Sequence, residues 1–144
     1  MEKILISACL LGENCKYNGK NNYIDIIEKL KQKYILYPIC PEVFGGLSIP
    51  RSPSEINGNK VISKEGIDVT SNFLLGANKS LDIALENDIK IAILKDGSPS
   101  CGVNYIYDGT FSKTKIKGFG ITTKLLKENK IKIYSENEIQ ELLK

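Results

Sequence analysis

Short apolar runs alternate along the chain with longer segments in which apolar residues recur every three or four positions. The short runs have the length and composition of buried β-strands, and the longer segments have the period of amphipathic helices. Strands are predicted at 3–7, 34–38, 90–94 and 131–134. Helices are predicted at 22–33, from a cap at Thr70 or Ser71 along a stripe from Phe73 to Leu85, at 119–129 and at Glu136–Leu143.

This alternation of strands and helices indicates a parallel sheet with right-handed crossovers. We therefore predict an α/β fold, a three-layer Rossmann-like domain with a mainly parallel sheet. Two long polar stretches, 41–69 and 96–117, depart from the usual short connections, and long loops in a compact domain are usually functional. The first stretch should form a small hairpin around Asn57-Gly58 that returns through Val61–Ser63.

Three of the four cysteines lie just beyond predicted strands. Cys9, Cys40 and Cys101 follow the first, second and third strand in turn. The carboxyl ends of parallel strands meet at one edge of a sheet, where open α/β sheets bind their ligands. Three thiolates with an open fourth position suit a metal or iron–sulfur centre. The alternative is core packing, which is common for free cysteine, whereas the absence of a CxxC pair argues against a zinc ribbon.

Polar residues adjoin two of these cysteines. Glu42 follows Cys40-Pro41 and would serve a metal site as a proton shuttle; the alternative is a solvated carboxylate. Ser98 and Ser100 precede Cys101 in a Pro- and Gly-containing turn, whose hydroxyls and backbone amides can donate hydrogen bonds to cluster sulfurs or to an anion.

A second group of residues is expected to contact a ligand. Arg51 is the lone arginine of the chain. Its planar guanidinium would bind a carboxylate or a phosphate through two hydrogen bonds; the alternative is an ordinary surface charge. Gly45 and Gly46 would bring backbone close to a ligand, although no Walker or GxGxxG pattern is present. Cys15 would be a fourth metal ligand, a redox partner, a reactive thiol beside Lys16, or a bystander in a loop.

The composition of the chain limits the kinds of active site and partner that are possible. The 144 residues correspond to one domain, residues 1–144, and 42% hydrophobic residues suffice for a core. The absence of histidine excludes Ser-His-Asp triads, Cys-His pairs and His-containing zinc sites. A net charge of +3 gives no strong nucleic-acid signal but is compatible with a small anionic ligand. No run is long enough for a membrane span, and the N-terminus lacks the layout of a signal peptide, so we expect a cytoplasmic protein with reduced thiols.

Several motifs, in order and over nearly the whole chain, resemble the thiouracil desulfidase family. They are Ser7–Gly12 (SACLLG), Cys15–Gly19 (CKYNG), Cys40–Leu47 (CPEVFGGL), Pro50-Arg51, Gly66–Thr70 (GIDVT), Ser98–Gly102 (SPSCG) and Ile106–Phe111 (IYDGTF). The chain departs from the family pattern at Lys16 and Asn18, where Arg and Asp are expected.

The resemblance implies an oxygen-sensitive [4Fe–4S] enzyme that removes sulfur from thiolated pyrimidine bases or nucleotides, giving the oxo base and sulfide. Cys9, Cys40 and Cys101 would hold the cluster, and its fourth iron would bind the substrate sulfur. Glu42 and one serine, Ser98 or Ser100, would be the catalytic polar groups. The rival interpretation is a non-catalytic iron–sulfur or thiol redox sensor, and a structural zinc fold is a third.

Overall fold

The computed structural model describes all 144 residues and confirms the α/β class. The helices are α1 (Ile27–Lys33), α2 (Pro41–Phe44), α3 (Thr70–Glu86), α4 (Ile121–Glu128) and α5 (Gln140–Leu143), with 3₁₀ turns at Ala8–Leu11 and Glu136–Glu138. The strands are β1 (Glu2–Ser7), β2 (Tyr34–Ile39), β3 (Ser54–Asn57), β4 (Lys60–Ser63), β5 (Ile91–Leu94), β6 (Tyr105–Tyr107), β7 (Lys115–Lys117) and β8 (Lys132–Ser135).

The four strands predicted from the apolar runs form one sheet in the order β2-β1-β5-β8, and every neighbouring pair is parallel. From β1 the chain passes to β2 on one side, and β5 then pairs with β1 on the other side. The direction of winding therefore reverses beside β1. Such a reversal opens a crevice at the carboxyl ends of the strands.

Both faces of the sheet are covered, because successive side chains of β1 point to opposite faces and both sets are apolar. Ile4 and Ile6 pack with α1 and α5, whereas Leu5 packs with α3 and α4. The predicted three layers are thus confirmed. None of the helices is long and apolar enough to cross a membrane.

Two predicted helices differ at their starts. The helix expected at 22–33 begins only at Ile27, because the Asn22 amide donates to the carbonyl of Cys9 at 2.9 Å and holds the segment in a turn. The long helix begins at Thr70, and the carboxylate of Asp68, not a side chain at 70 or 71, accepts from its first backbone amide.

Helix α3 buries most of the predicted stripe, including Ala84, but not all of it. Phe73 and Ala77 are buried as expected, but Leu74 and Leu85 are about half exposed. Gly76 lies on the buried face instead. It packs so closely on α2 that a Cβ at this position would stand 1.7 Å from the carbonyl oxygen of Pro41. This close approach is what lets α2 lie on α3.

The hairpin predicted around Asn57-Gly58 is present as β3 and β4. A second hairpin, β6 and β7, lies in the stretch 96–117, which was expected to be a loop. Each of its two strands is three residues long, and all three residues of β7 are exposed. The strands therefore show no alternation of buried apolar and exposed polar residues from which they could be predicted. The carboxylate of Glu55 joins the hairpins, accepting from the amides of Gly109 and Phe111 at 2.9 and 3.1 Å.

Candidate functional site

A cavity of about 710 Å³ opens at the carboxyl edge of the sheet, where the crevice beside β1 lies. Its floor comes from the ends of three parallel strands, and its wall includes residues of both hairpins. The residues singled out in the sequence that line it are Cys9, Cys15, Cys40, Glu42, Arg51, Ser98, Ser100 and Cys101. The fold therefore gathers, in one place, groups that are far apart in the chain.

Short turns after the strands aim the cysteines at the cavity. Cys9 lies in the 3₁₀ turn that follows β1, Cys40 stands between β2 and α2, and Cys101 lies in the turn after β5. All four cysteines are free thiols, and Cys9, Cys15 and Cys101 are buried. No disulfide competes for them, so all are available as soft ligands.

Burial sets the acidity of the thiols. Burial raises the pKa of Cys9, although the hydrogen bond from Asn22 Nδ2 to Cys9 Sγ at 3.3 Å acts to lower it. Burial also raises the pKa of Cys101 to about 12, against the opposing effect of the neighbouring Ser7 and Ser100 hydroxyls. A hydrogen bond from Cys15 lowers the pKa of Cys40 to about 7 and raises that of Cys15.

Glu42 joins two other predicted residues in one hydrogen-bonded chain. Its Oε1 accepts from Arg51 Nε at 3.0 Å, and its Oε2 accepts from Ser100 Oγ at 3.0 Å. The Glu42 side chain is 15% exposed, so this is a buried ion pair and not a solvated carboxylate. Ser100 Oγ also lies 3.6 Å from Cys101 Sγ. The hydroxyl therefore links the carboxylate to a thiol.

The two serines have different surroundings. Ser98 Oγ accepts from the backbone amides of Ser100 and Cys101, each at 3.1 Å, and lies 2.8 Å from Ser100 Oγ. Ser98 thus organises the turn, whereas Ser100 contacts Glu42 directly. Of the two candidates left open by the sequence, the geometry favours Ser100 as the group that exchanges protons with Glu42.

Gly45 and Gly46 are not among the residues that line the cavity, and their role as ligand contacts stays a prediction. A Cβ at position 45 would lie 1.9 Å from the carbonyl oxygen of Asn72 in α3. Asn72 Nδ2 in turn donates to the Gly45 carbonyl at 2.8 Å. These glycines fix α2 against α3, and they position Glu42 only through the backbone.

Several lining residues escaped the sequence analysis. Lys95 follows β5 directly and could have been found as a strand-end residue; its Nζ lies 2.9 Å from Glu136 Oε2. Other lining residues lie in or next to the hairpins, and of these only Tyr107 and Phe111 belong to a motif noted in the sequence: Lys64, Tyr105, Tyr107, Phe111, Lys113 and Lys115. The hairpins therefore add aromatic rings and ammonium groups to the cavity wall.

The donor set fits a cluster better than a single ion. No three His, Cys, Asp or Glu side chains lie close enough together to hold one metal ion. A four-iron cluster is larger, and each of its thiolate ligands binds a different iron, so its cysteines stand farther apart. Thiolate-only ligation is what iron–sulfur clusters use. A cationic centre also offsets the cost of ionising buried thiols such as Cys9 and Cys101.

The fold and cavity together define an α/β protein with a thiol-lined site at the reversal point of a parallel sheet. The chain belongs to the 2-thiouracil desulfurase family, whose model matches residues 4–138. This confirms the resemblance read from the motifs and identifies the chain as an enzyme of the desulfurase class.

Two relatives show how far the similarity extends. The protein YbbK of Bacillus subtilis (strain 168) is 42% identical over 150 residues, which cover 97% of this chain and 99% of YbbK. A solved structure of the [4Fe-4S]-dependent thiouracil desulfidase TudS is 41% identical, with a TM-score of 0.93 over 99% of this chain and 96% of that one. The similarity thus spans the whole domain.

Proposed function

We propose that this chain is a [4Fe–4S]-dependent desulfidase that converts thiolated pyrimidines to the oxo base and sulfide. The observation that carries the proposal is the convergence of three free cysteines, from three strand ends, on a cavity that also holds the paired Glu42 and Ser100. Similarity over the whole domain to a [4Fe-4S]-dependent thiouracil desulfidase supports it.

Cys9, Cys40 and Cys101 would hold the cluster. Each lies in a turn that follows a strand of the central sheet, whereas Cys15 lies in the loop between β1 and α1 and its thiol is hydrogen-bonded to Cys40. With three protein thiolates as ligands, such a cluster would keep one iron without a protein ligand and would supply a soft Lewis acid for a substrate sulfur. Cys15 would then contact the substrate instead of the metal.

Glu42 and Ser100 would move the protons of the reaction. Water replaces sulfur at one carbon of the substrate, so a C–O bond forms, the C–S bond breaks and no oxidant or reductant is needed. The water must lose a proton, and Glu42 Oε2 is the acceptor already aligned with the Ser100 hydroxyl at 3.0 Å. A carboxylate that exchanges protons with a hydroxyl in a buried site is suited to general acid–base catalysis.

The cavity wall suits a planar, polar substrate. Tyr105, Tyr107 and Phe111 present aromatic rings, and Lys113 and Lys115 lie among them. Aromatic rings stack on bases, and ammonium groups attract phosphate. The wall therefore accommodates a thiolated base and favours a nucleotide that carries phosphate.

Turnover by the loaded protein tests the proposal. After anaerobic reconstitution with iron and sulfide, incubation with 4-thiouracil should remove the thione absorbance and release an equal amount of sulfide. Protein treated in the same way with zinc should be inactive. Binding of zinc but not of an iron–sulfur cluster, or a loaded protein that releases no sulfide from any thiolated base or nucleotide, would contradict it.

The contact between Cys15 and Cys40 favours one second candidate, a thiol or iron–sulfur redox sensor. Neighbouring thiols of which one has a pKa of about 7 form disulfides readily when an oxidant is present. A sensor would bind the cluster but would not turn over thiolated substrates, so the same assay separates the two functions.

A further inference from the structure

The guanidinium of Arg51 is buried and already committed to the protein. Its side chain is 8% exposed, and Nε donates to Glu42 Oε1 at 3.0 Å. Nη2 donates to the Cys15 carbonyl at 2.8 Å, and Nη1 donates to the Ser48 carbonyl at 3.1 Å. Each nitrogen of the guanidinium therefore has a protein acceptor, and three of its five N–H groups are used in holding the protein together.

The bond from Arg51 decides how Glu42 faces the cavity. With Oε1 held by the guanidinium, Oε2 is the oxygen that accepts from Ser100 Oγ. The backbone of Glu42 does not depend on this bond, because α2 is anchored on α3 through the close contact of Pro41 with Gly76. Arg51 thus acts on the orientation of the carboxylate and not on the placement of the helix.

Arg51 also holds the loop that carries Cys15. The Cys15 carbonyl accepts from Arg51 Nη2 and lies 3.7 Å from Cys40 Sγ. The backbone amide of Arg51 donates in addition to the Tyr17 carbonyl at 2.8 Å. One residue therefore ties this loop to the catalytic carboxylate.

We propose that Arg51 is a positioning residue that orients Glu42 toward Ser100 and does not bind substrate phosphate, an inference that rests on the desulfidase function proposed above. Its role differs from the anion contact expected from the sequence. Binding of a phosphate then falls to the rim lysines, such as Lys113 and Lys115, which are exposed and line the cavity.

The test compares kcat and KM for a free base and a nucleotide. Wild type, Arg51→Lys and Arg51→Met are reconstituted anaerobically, and rates are expressed per cluster from iron and sulfide content. The probes are 4-thiouracil and 4-thiouridine 5′-monophosphate. We expect both variants to lose kcat by roughly 10–100-fold on both probes, with KM nearly unchanged, because misplacing a catalytic group by about 1 Å costs about this much. Lysine at position 51 should not restore kcat, because one ammonium group cannot reproduce the hydrogen bonds of the planar guanidinium.

A double-mutant cycle separates positioning from a general structural role. In a Glu42→Gln background, Arg51→Lys should change kcat by less than about threefold, because residues that act through one another are not additive. Cluster content and urea midpoints, measured for every variant, identify loss of folding. If Arg51→Met does not fold, Arg51→Lys alone carries the comparison.

Three outcomes would overturn the inference, and a fourth would overturn the function on which it rests. A rise in KM confined to the nucleotide would make Arg51 a phosphate contact, and full kcat in folded, loaded Arg51→Lys would show that Glu42 needs no such partner. Additive effects in the cycle would also contradict the inference. Absence of turnover in the loaded wild type would instead refute the desulfidase function itself.

Discussion

Two cysteine-bearing segments of the site are held in opposite ways. The Cys101 turn (residues 96–105) is organised from within by one buried carboxylate, that of Asp96. The Cys15 loop (residues 12–22) has no central buried carboxylate, and its internal hydrogen bonds join single pairs of residues, such as Lys16 N to the Lys20 carbonyl. The donors to Asp96 are the backbone amides of Gly97, Val103, Asn104 and Tyr105 and the side chain of Asn104.

Helix α4 adds a second support to the Cys101 turn. The amides of Ile121 and Thr122, at the start of the helix, donate to the carbonyls of Pro99 and Ser100, each at 2.9 Å. The Gly120 amide donates to the Gly102 carbonyl at 2.9 Å. These amides have no partner within the helix, so the turn satisfies them and is fixed by them.

The Cys15 loop depends on residues that reach it from outside or across it. Asn22 clamps Cys9 through its backbone amide and its side chain, and Arg51 holds the Cys15 carbonyl. The comparison teaches that one thiol segment is preformed by its own sequence, whereas the other takes its shape from a few long-range contacts. Substitutions should therefore affect the two segments differently.

The largest expected effect is loss of the cluster. Cys9→Ser, Cys40→Ser and Cys101→Ser should each lose bound iron and turnover together, because two remaining thiolates hold the cluster too weakly. Cys15→Ser should retain iron and acid-labile sulfide at wild-type levels. If instead Cys15→Ser abolishes cluster assembly and Cys9→Ser does not, the proposed set of ligands is wrong, and Cys15 takes the place of Cys9 in it.

Glu42→Gln should keep the cluster but lower kcat by roughly 10²–10⁴-fold, the usual contribution of a proton-transfer group. Glutamine preserves the shape of the side chain and removes its basicity. The control is Glu13→Gln, which changes an exposed carboxylate in the Cys15 loop. Equal losses in the two variants would show that the effect is one of charge and not of proton transfer.

Asn22→Ala should release iron to a chelator about 10–100-fold faster than wild type, the usual scale for residues that hydrogen-bond to metal ligands. The same substitution should lower the reduction potential of the cluster, because a hydrogen bond to the Cys9 sulfur is lost. Asn21→Ala is a matched control, since Asn21 bonds only to exposed partners in the same loop. Identical chelation rates for the two variants would mean that Asn22 does not support the cluster.

Replacement of Asp96 should have the smallest effect on the site. It should instead change the stability of the folded protein. Burial raises the pKa of Asp96, but amide donors, chiefly Asn104 and Val103, outweigh it and lower the pKa overall. A lowered folded-state pKa gives stability that is present above the unfolded-state pKa and is lost as the pH falls through the folded-state value.

Asp96→Asn should therefore reduce the free energy of unfolding by about 1–3 kcal/mol near neutral pH and weaken its acid dependence. Urea denaturation of the reduced protein over an acidic pH series measures both. Asp82→Asn, at an exposed position of α3, should stay within about 0.5 kcal/mol of wild type. An unchanged acid dependence in Asp96→Asn would mean that the Cys101 turn does not rest on this carboxylate.

The sequence alone determined the layers, the parallel sheet and the place of three thiols. Strand and helix periods are local properties, and parallel strands necessarily bring their carboxyl ends to one edge. Cys9, Cys40 and Cys101 could therefore be placed together before any coordinates were known. Glu42 and the two serines followed as candidates because they lie beside the cysteines in the chain, and the family resemblance implied catalytic roles for them.

Only the tertiary structure decided how the polar groups are paired. Ser100 meets Glu42 across 58 positions of sequence, and Arg51 meets the Cys15 carbonyl across 36. It also placed Gly45 in the packing of α2 against α3 and revealed the hairpin of β6 and β7. These facts depend on which surfaces come into contact after the sheet has formed, and such contacts leave no period or local motif in the chain.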